Sequence, residues 1–185
     1  MACGPTLLSQ GPISGGAVLI LCTFGTHPQP FERALSWVAD AAGEERLIVQ
    51  HGSTPPRPQL DGVVWHRFLD YEELVAAMGE ADVVVSHAGV GTLMTAIQAG
   101  VVPVAIPRLR EHGEHVDDHQ LQIATELGES GYVVPCLGRT ELGDCLRRAR
   151  EMDQPEPEQG GELRGVAIAA AGGDPQGALR GSAGR

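Results

Sequence analysis

Three short stretches of this 185-residue chain carry residue types that handle anions and protons. The first, SHAGVGTLMTAIQAG from Ser86 to Gly100, follows the apolar run ADVVV and combines His87, Gly89, Gly91 and Thr92. Glycines between a strand and a helix let the backbone approach a ligand, and the free N–H groups of the helix start then favour a phosphate. The same glycines equally suit a tight turn that holds nothing. The second stretch, TFGTHP from Thr23 to Pro28, ends another apolar run with Gly25, Thr26 and His27. The third, RLREHGEHVDDHQ from Arg108 to Gln120, crowds His112, Glu114, His115, Asp117, Asp118 and His119 together.

Other chemistry is excluded or disfavoured. All 13 basic residues are Arg, so neither a P-loop lysine nor a Schiff-base lysine is available. The net charge of −11 without an Arg cluster argues against nucleic acid as a partner. A dinucleotide fingerprint would need Gly where Met94 stands, and a zinc HExxH motif would need Glu where Val116 stands, so no metal is expected. A nicotinamide-dependent oxidoreductase is therefore the weaker enzyme reading. Cys3, Cys22, Cys136 and Cys145 show no CxxC spacing, which with the absence of a secretory signal suggests free thiols and a cytoplasmic location.

The elements that must position these stretches follow from periodicity. AVLILCT (17–23), RLIVQ (46–50), GVVWHRF (62–68), DVVVSH (82–87), VVPVAI (101–106) and YVVPC (132–136) read as strands. Phe31, Leu35, Val38 and Ala42 share one helical face, and Asp70 three residues before Glu73 forms a capping-box signature. Further helices are expected at 92–99, closed by Gly100, at 117–131, ending at Gly131, and at 140–151. This alternation predicts an α/β fold with a doubly wound, mainly parallel Rossmann-like sheet. Its carboxyl edge gathers the three polar loops, while VQHGST (49–54) ends there either as a fourth ligand loop or as a plain connector. Residues 1–16 read as a flexible leader, 17–152 as the domain, and 153–185 as a low-complexity, disordered tail.

The stretch from Phe68 to Gly131, with H-A-G-x-G-[ST], then G-x-x-P, then H-Q, resembles the C-terminal, donor-binding half of GT-B glycosyltransferases of family 28. It is most similar to single-domain catalytic subunits of two-component transferases, and GEHVDDHQ to exopolysaccharide glucuronosyltransferase subunits of the PssE type. The resemblance implies a UDP-sugar donor, no metal, and an inverting transfer of a GlcA- or GlcNAc-class sugar to a lipid-linked acceptor. That acceptor would be brought by a membrane-anchored partner subunit, with this chain peripheral at the cytoplasmic face of the membrane.

Residue by residue, the resemblance implies that Gly25 and Thr26 meet the diphosphate and that Leu69 offers backbone to the uracil. His87, Gly89, Gly91 and Thr92 would hold the phosphates and the ribose side, and Asp118, His119 and Gln120 the donor sugar. Thr95 stands where the family usually has a ribose-binding Glu, which leaves open a non-catalytic nucleotide-sugar-binding subunit. A plain interaction domain is the remaining alternative. His27, Glu114, Asp118 and His119 are candidate general bases, none of them assigned.

Overall fold

The computed structural model describes residues 18–43 and 45–152. The expected leader (1–16) and tail (153–185) lie outside the described residues.

Six parallel strands form one sheet: β1 (Leu19–Thr23), β2 (Arg46–Gln50), β3 (Val63–His66), β4 (Val83–His87), β5 (Val104–Ile106) and β6 (Val134–Pro135). Their spatial order is β3-β2-β1-β4-β5-β6. The chain builds outward from β1 through β2 to β3, then crosses back to place β4 on the other side of β1. Connections therefore leave β1 and β4 in opposite directions and open a crevice beyond their carboxyl ends, where open α/β sheets bind ligands. The two glycine-bearing turns expected to face one another follow these two strands.

Helices cover both faces, which is why β1 reads as an unbroken apolar run: all five of its residues are buried. On one face lie α1 (Glu32–Ala41) and α5 (Leu142–Glu151), where Leu35, Val38, Leu142 and Cys145 pack on Ile20, Val49, Val85 and Val104. Phe31, Leu35, Val38 and Ala42, the expected helical face, are all at most 4% exposed. The opposite face carries α2 (Tyr71–Glu80), α3 (Val90–Gln98) and α4 (His119–Glu129), packed through Met78, Ala96, Leu93 and Leu127. Cys22, Cys136 and Cys145 are buried free thiols, and burial pushes the Cys22 thiol well above its ordinary range.

Local signals set several boundaries. The capping box at α2 is complete: the Glu73 N–H donates to Asp70 Oδ1 at 2.8 Å and the Asp70 N–H to Glu73 Oε2 at 2.9 Å. Gly100 and Gly131 end α3 and α4 with φ of 80° and 77°, the left-handed conformation in which a side chain is strained. Elsewhere the boundaries shift. β6 keeps only two residues, Val134 and Cys136 donating to the Pro103 and Ala105 carbonyls of the β5 segment, and Pro135 between them lacks its N–H on the outer side of this edge strand, where no bond is lost. α3 starts at Val90 rather than Thr92, and α4 at His119 rather than Asp117. A 3₁₀ turn, Arg139–Glu141, precedes α5.

Candidate functional site

The crevice between the ends of β1 and β4 is built around the His87 ring. His87 closes β4 opposite β1, and its imidazole lies between two glycines. A Cβ on Gly25 would sit 2.6 Å from His87 Cε1, and one on Gly89 would sit 2.3 Å from His87 Nε2. Gly25 also has φ of 73°. These glycines therefore admit the protein's own histidine, a requirement that comes before any ligand. Gly91 differs, since a Cβ there would meet open space.

His87 Nδ1 lies 3.5 Å from the Thr23 carbonyl oxygen. Burial, followed by the nearby Arg108 guanidinium, brings its pKa from 6.5 down to about 4. At neutral pH the ring is therefore uncharged. The fixed positive end at this place comes from α3: its first intrahelical bond runs from the Leu93 N–H to the Gly89 carbonyl, which leaves the N–H groups of Val90, Gly91 and Thr92 outside the helical ladder. Thr92 falls in this first turn, half-buried. The Thr95 hydroxyl, one turn on, donates to the Gly91 carbonyl at 2.8 Å and is spent on the helix itself.

A buried cation beneath the crevice escaped the sequence reading. Arg108 is only 1% exposed, directly after β5. Its guanidinium donates to the carbonyls of Phe24 (2.9 Å), Gln29 (2.8 Å) and Glu114 (3.2 Å) and lies over the Phe31 ring at 4.5 Å. Burial lowers its pKa to about 10, so it remains charged at neutral pH. Beside it, Arg33 of α1 grips Glu114 with two bonds, Nε to Oε1 at 3.0 Å and a terminal nitrogen to Oε2 at 2.7 Å. Together they fasten the loop after β5 to the loop after β1. The available signals were an Arg directly after a strand run and an unpaired Glu amid histidines; neither names its partner.

Several expected roles shift in this setting. Glu114, a candidate base, is 5% exposed and fully engaged, since Oε2 also accepts the Leu109 N–H. A carboxylate held by a guanidinium is a clasp, so that candidacy is corrected. Asp118 occupies the N-cap position of α4, yet its carboxylate accepts the Arg110 N–H. His119 is half-buried, its Nδ1 3.2 Å from Gln122 Oε1. Gln120 is buried, and its carbonyl oxygen accepts the Arg108 N–H at 3.1 Å, so the expected sugar-binding pair faces two different surroundings.

Thr26 is exposed at the rim, and Leu69 is half-buried just before α2, one residue ahead of its N-cap. In the VQHGST loop, Thr54 Oγ1 accepts the Phe31 N–H at the start of α1, and a Cβ on Gly52 would stand 2.4 Å from the Gly25 carbonyl oxygen. His27 and His115 stack across the crevice mouth, centroids 4.8 Å apart. Among the described residues no group of three or more His, Cys, Asp or Glu could hold a metal ion.

Comparison with known proteins agrees with this geometry. Residues 19–163 match the glycosyltransferase family 28 C-terminal domain. The UDP-N-acetylglucosamine transferase subunit ALG13 of Yarrowia lipolytica is 30% identical over 161 residues, covering 77% of this chain and 80% of that protein. A UDP-N-acetylglucosamine–N-acetylmuramyl-(pentapeptide) pyrophosphoryl-undecaprenol N-acetylglucosamine transferase of Ralstonia nicotianae is 31% identical over 116 residues, which are 54% of this chain and 30% of that enzyme. Among solved structures, the calicheamicin glycosyltransferase CalG4 shares the fold with a TM-score of 0.59 at 17% identity, covering 91% of this chain and 42% of its own. The glycotransferase of kitacinnamycin does so at 0.57 and 19% identity, covering 95% and 46%. This chain thus spans less than half of each of those enzymes. With its switch-point crevice between β1 and β4 and a match over most of its length, the chain belongs to the glycosyltransferase family 28 C-terminal domain family.

Proposed function

We propose that this hexosyltransferase domain is the donor half of an inverting UDP-sugar transferase, the acceptor half being a separate membrane-anchored subunit. The observation that carries this reading is the α3 N-terminus, opening beside the neutral His87 at the switch point of the sheet. Donors already fixed there can stabilise charge on a departing diphosphate without reorganising. In the proposed pose Gly25, Thr26, Gly91 and Thr92 line the diphosphate, Leu69 meets the uracil, and His119 faces the sugar. No metal is required, because backbone N–H groups and the buried Arg108 supply the positive potential.

The sugar is proposed to be N-acetylglucosamine, since both relatives are named for that transfer; glucuronic acid is the competing donor. The acceptor is proposed to be lipid-linked. No helix among the described residues is long and apolar enough to cross a membrane. Contact with the bilayer is proposed to run through the partner at the cytoplasmic face.

The test is thermal unfolding with UDP, followed by transfer assays with UDP-GlcNAc or UDP-GlcA in membranes holding the partner. UDP at a hundred times its Kd should stabilise by about 2.7 kcal/mol, whereas NAD should not. Absence of UDP stabilisation would reject the reading. Thr95, turned back onto its helix, favours one second reading, a nucleotide-sugar-binding subunit without turnover. UDP stabilisation with no transfer from either donor would select it.

A further inference from the structure

We propose that the apolar stretch Leu163–Ala171, carried on the chain beyond α5, docks in cis into a groove at the amino edge of the sheet. The inference is independent of the UDP-sugar reading, because the groove lies at the opposite ends of the strands from the crevice. A cavity of about 270 Å³ there has its floor at Val18, Ile20 and Val83, where β1 and β4 begin. One wall is the stripe Gly143, Leu146, Arg147 and Arg150 of α5, spaced as one helical face. The other is Ala41 at the end of α1, with Glu45 just beyond it. Val18, Ala41 and Leu146 pack on the core yet stay half-buried, and a Cβ on Gly143 would meet open space. Apolar surface is thus left uncovered beside a helix whose other face, Leu142, Cys145 and Ala149, is buried.

The order of chemistry along the groove identifies its occupant. From the C-terminal end of α5 inward the wall runs Arg150, Arg147, Leu146, Gly143, so cations come first and apolar surface follows. Arg147 already meets Asp144 at 2.7 Å, whereas Arg150 has no ion-pair partner among the described residues. Glu45, on the opposite wall, is spent on the Val18 N–H at 2.6 Å. The sequence beyond Met152 has the complementary order. Residues 153–162 hold Asp153, Glu156, Glu158 and Glu162 and no cation, and LRGVAIAAA follows with Leu163, Val166 and Ile168. A chain that reverses after α5 therefore sets carboxylates beside the arginines and apolar side chains over Leu146 and Val18.

Reach allows this path. The ten residues of α5 are about 15 Å long, and residues 153–162 span up to about 33 Å when extended. The tether also holds the stretch near its groove at an effective concentration on the order of millimolar, which outcompetes a second copy at micromolar protein. Residues 1–16 adjoin the groove too, just before Val18, but they carry no charged side chain and match its floor alone.

The experiment uses the full chain in a Cys3→Ser background, with Gly143→Cys paired either with Ile168→Cys or, as a control, with Ser182→Cys. The remaining native thiols are buried. Diamide oxidises the two introduced thiols to a disulfide, whose rate is followed on non-reducing gels and by intact mass. The longer tether to position 182 by itself slows closure only about threefold. Docking predicts a monomeric cross-link roughly tenfold or more faster for Ile168→Cys than for the control. Val166→Asp should bring that rate down to the control, and Arg150→Glu should slow it. In the wild-type full chain, NMR should show NOEs between the methyl groups of Ile168 and Leu146. Cross-linking no faster than tether length explains, or absent NOEs, would overturn the proposal. A cross-link confined to dimers would overturn it in favour of a second copy as the occupant.

Discussion

Gly89→Ser separates two explanations of the glycine that caps α3. The backbone there, at φ −80° and ψ 123°, is ordinary extended chain that Ser adopts without strain, and Gly89 is the N-cap of the helix. By capping alone Ser should gain a few tenths of a kcal/mol, its hydroxyl accepting an orphan N–H. The packing predicts the opposite sign. The new Cβ would stand 2.3 Å from His87 Nε2, so the ring must retreat by about 1 Å to restore contact distance. It retreats toward Gly25, where only a Cα leaves room and a Cβ would already be 2.6 Å away. Overpacking of this kind costs about 1–3 kcal/mol. In a domain of this size that amounts to roughly 3–12 °C in Tm. The assay is thermal and urea unfolding of four proteins: wild type, Gly89→Ser, His87→Ala and the double variant. Once the ring is gone, Ser should be neutral or slightly stabilising, giving a coupling of about 1–3 kcal/mol. A stabilised single variant, or additivity in the cycle, would refute the claim that His87 dictates glycine here.

Two further predictions concern charge. The folded-state pKa of His87 is depressed from 6.5 to about 4, so between those values the unfolded chain binds more protons. Stability is full above about pH 6.5 and is lost as pH falls toward 4, by roughly 3 kcal/mol from this residue. Urea unfolding at pH 7 and pH 4.5 should show a smaller acid loss in His87→Asn; equal losses would remove His87 as the cause. Under the proposed donor pose, Thr95→Glu should strengthen UDP binding about tenfold, the worth of one charge-assisted hydrogen bond. Calorimetry showing unchanged or weaker binding would place the ribose elsewhere than over α3.

The order of strands and helices was legible because it rests on local repetition: unbroken apolar runs for buried strands, a 3.6-residue period for α1, and the Asp70–Glu73 capping box. Glycines ending helices were legible for the same reason, since Gly100 and Gly131 act within one turn. Boundaries failed where a backbone group decides rather than a side chain. VVPVAI and YVVPC both look like full strands, yet the paired segments are only Val104–Ile106 and Val134–Pro135, since strand ends follow from which backbone groups find a partner and not from apolar character. The site was legible as a set of loops, because parallel topology alone brings the ends of β1 and β4 to one edge. Its internal wiring was not. Arg33 and Glu114 are 81 positions apart, and Arg108 reaches Phe24 across 84, distances over which no periodicity operates. Gly89 was read as room for a ligand when its first demand is room for His87, a contact that depends on the ring's orientation.

The guanidinium of Arg108 bonds the carbonyls of Phe24, Gln29 and Glu114, so the two loops flanking the crevice are tied by the fold itself. The conformational entropy of holding them is then lost when the chain folds, and under the proposed function a nucleotide arriving later does not have to order them again. Binding should proceed with little rearrangement of this rim, and its enthalpy should lack the large ordering component of a lid that closes over its ligand. Under the proposed two-subunit reading, any closure would then have to come from movement of the partner half against an already finished surface.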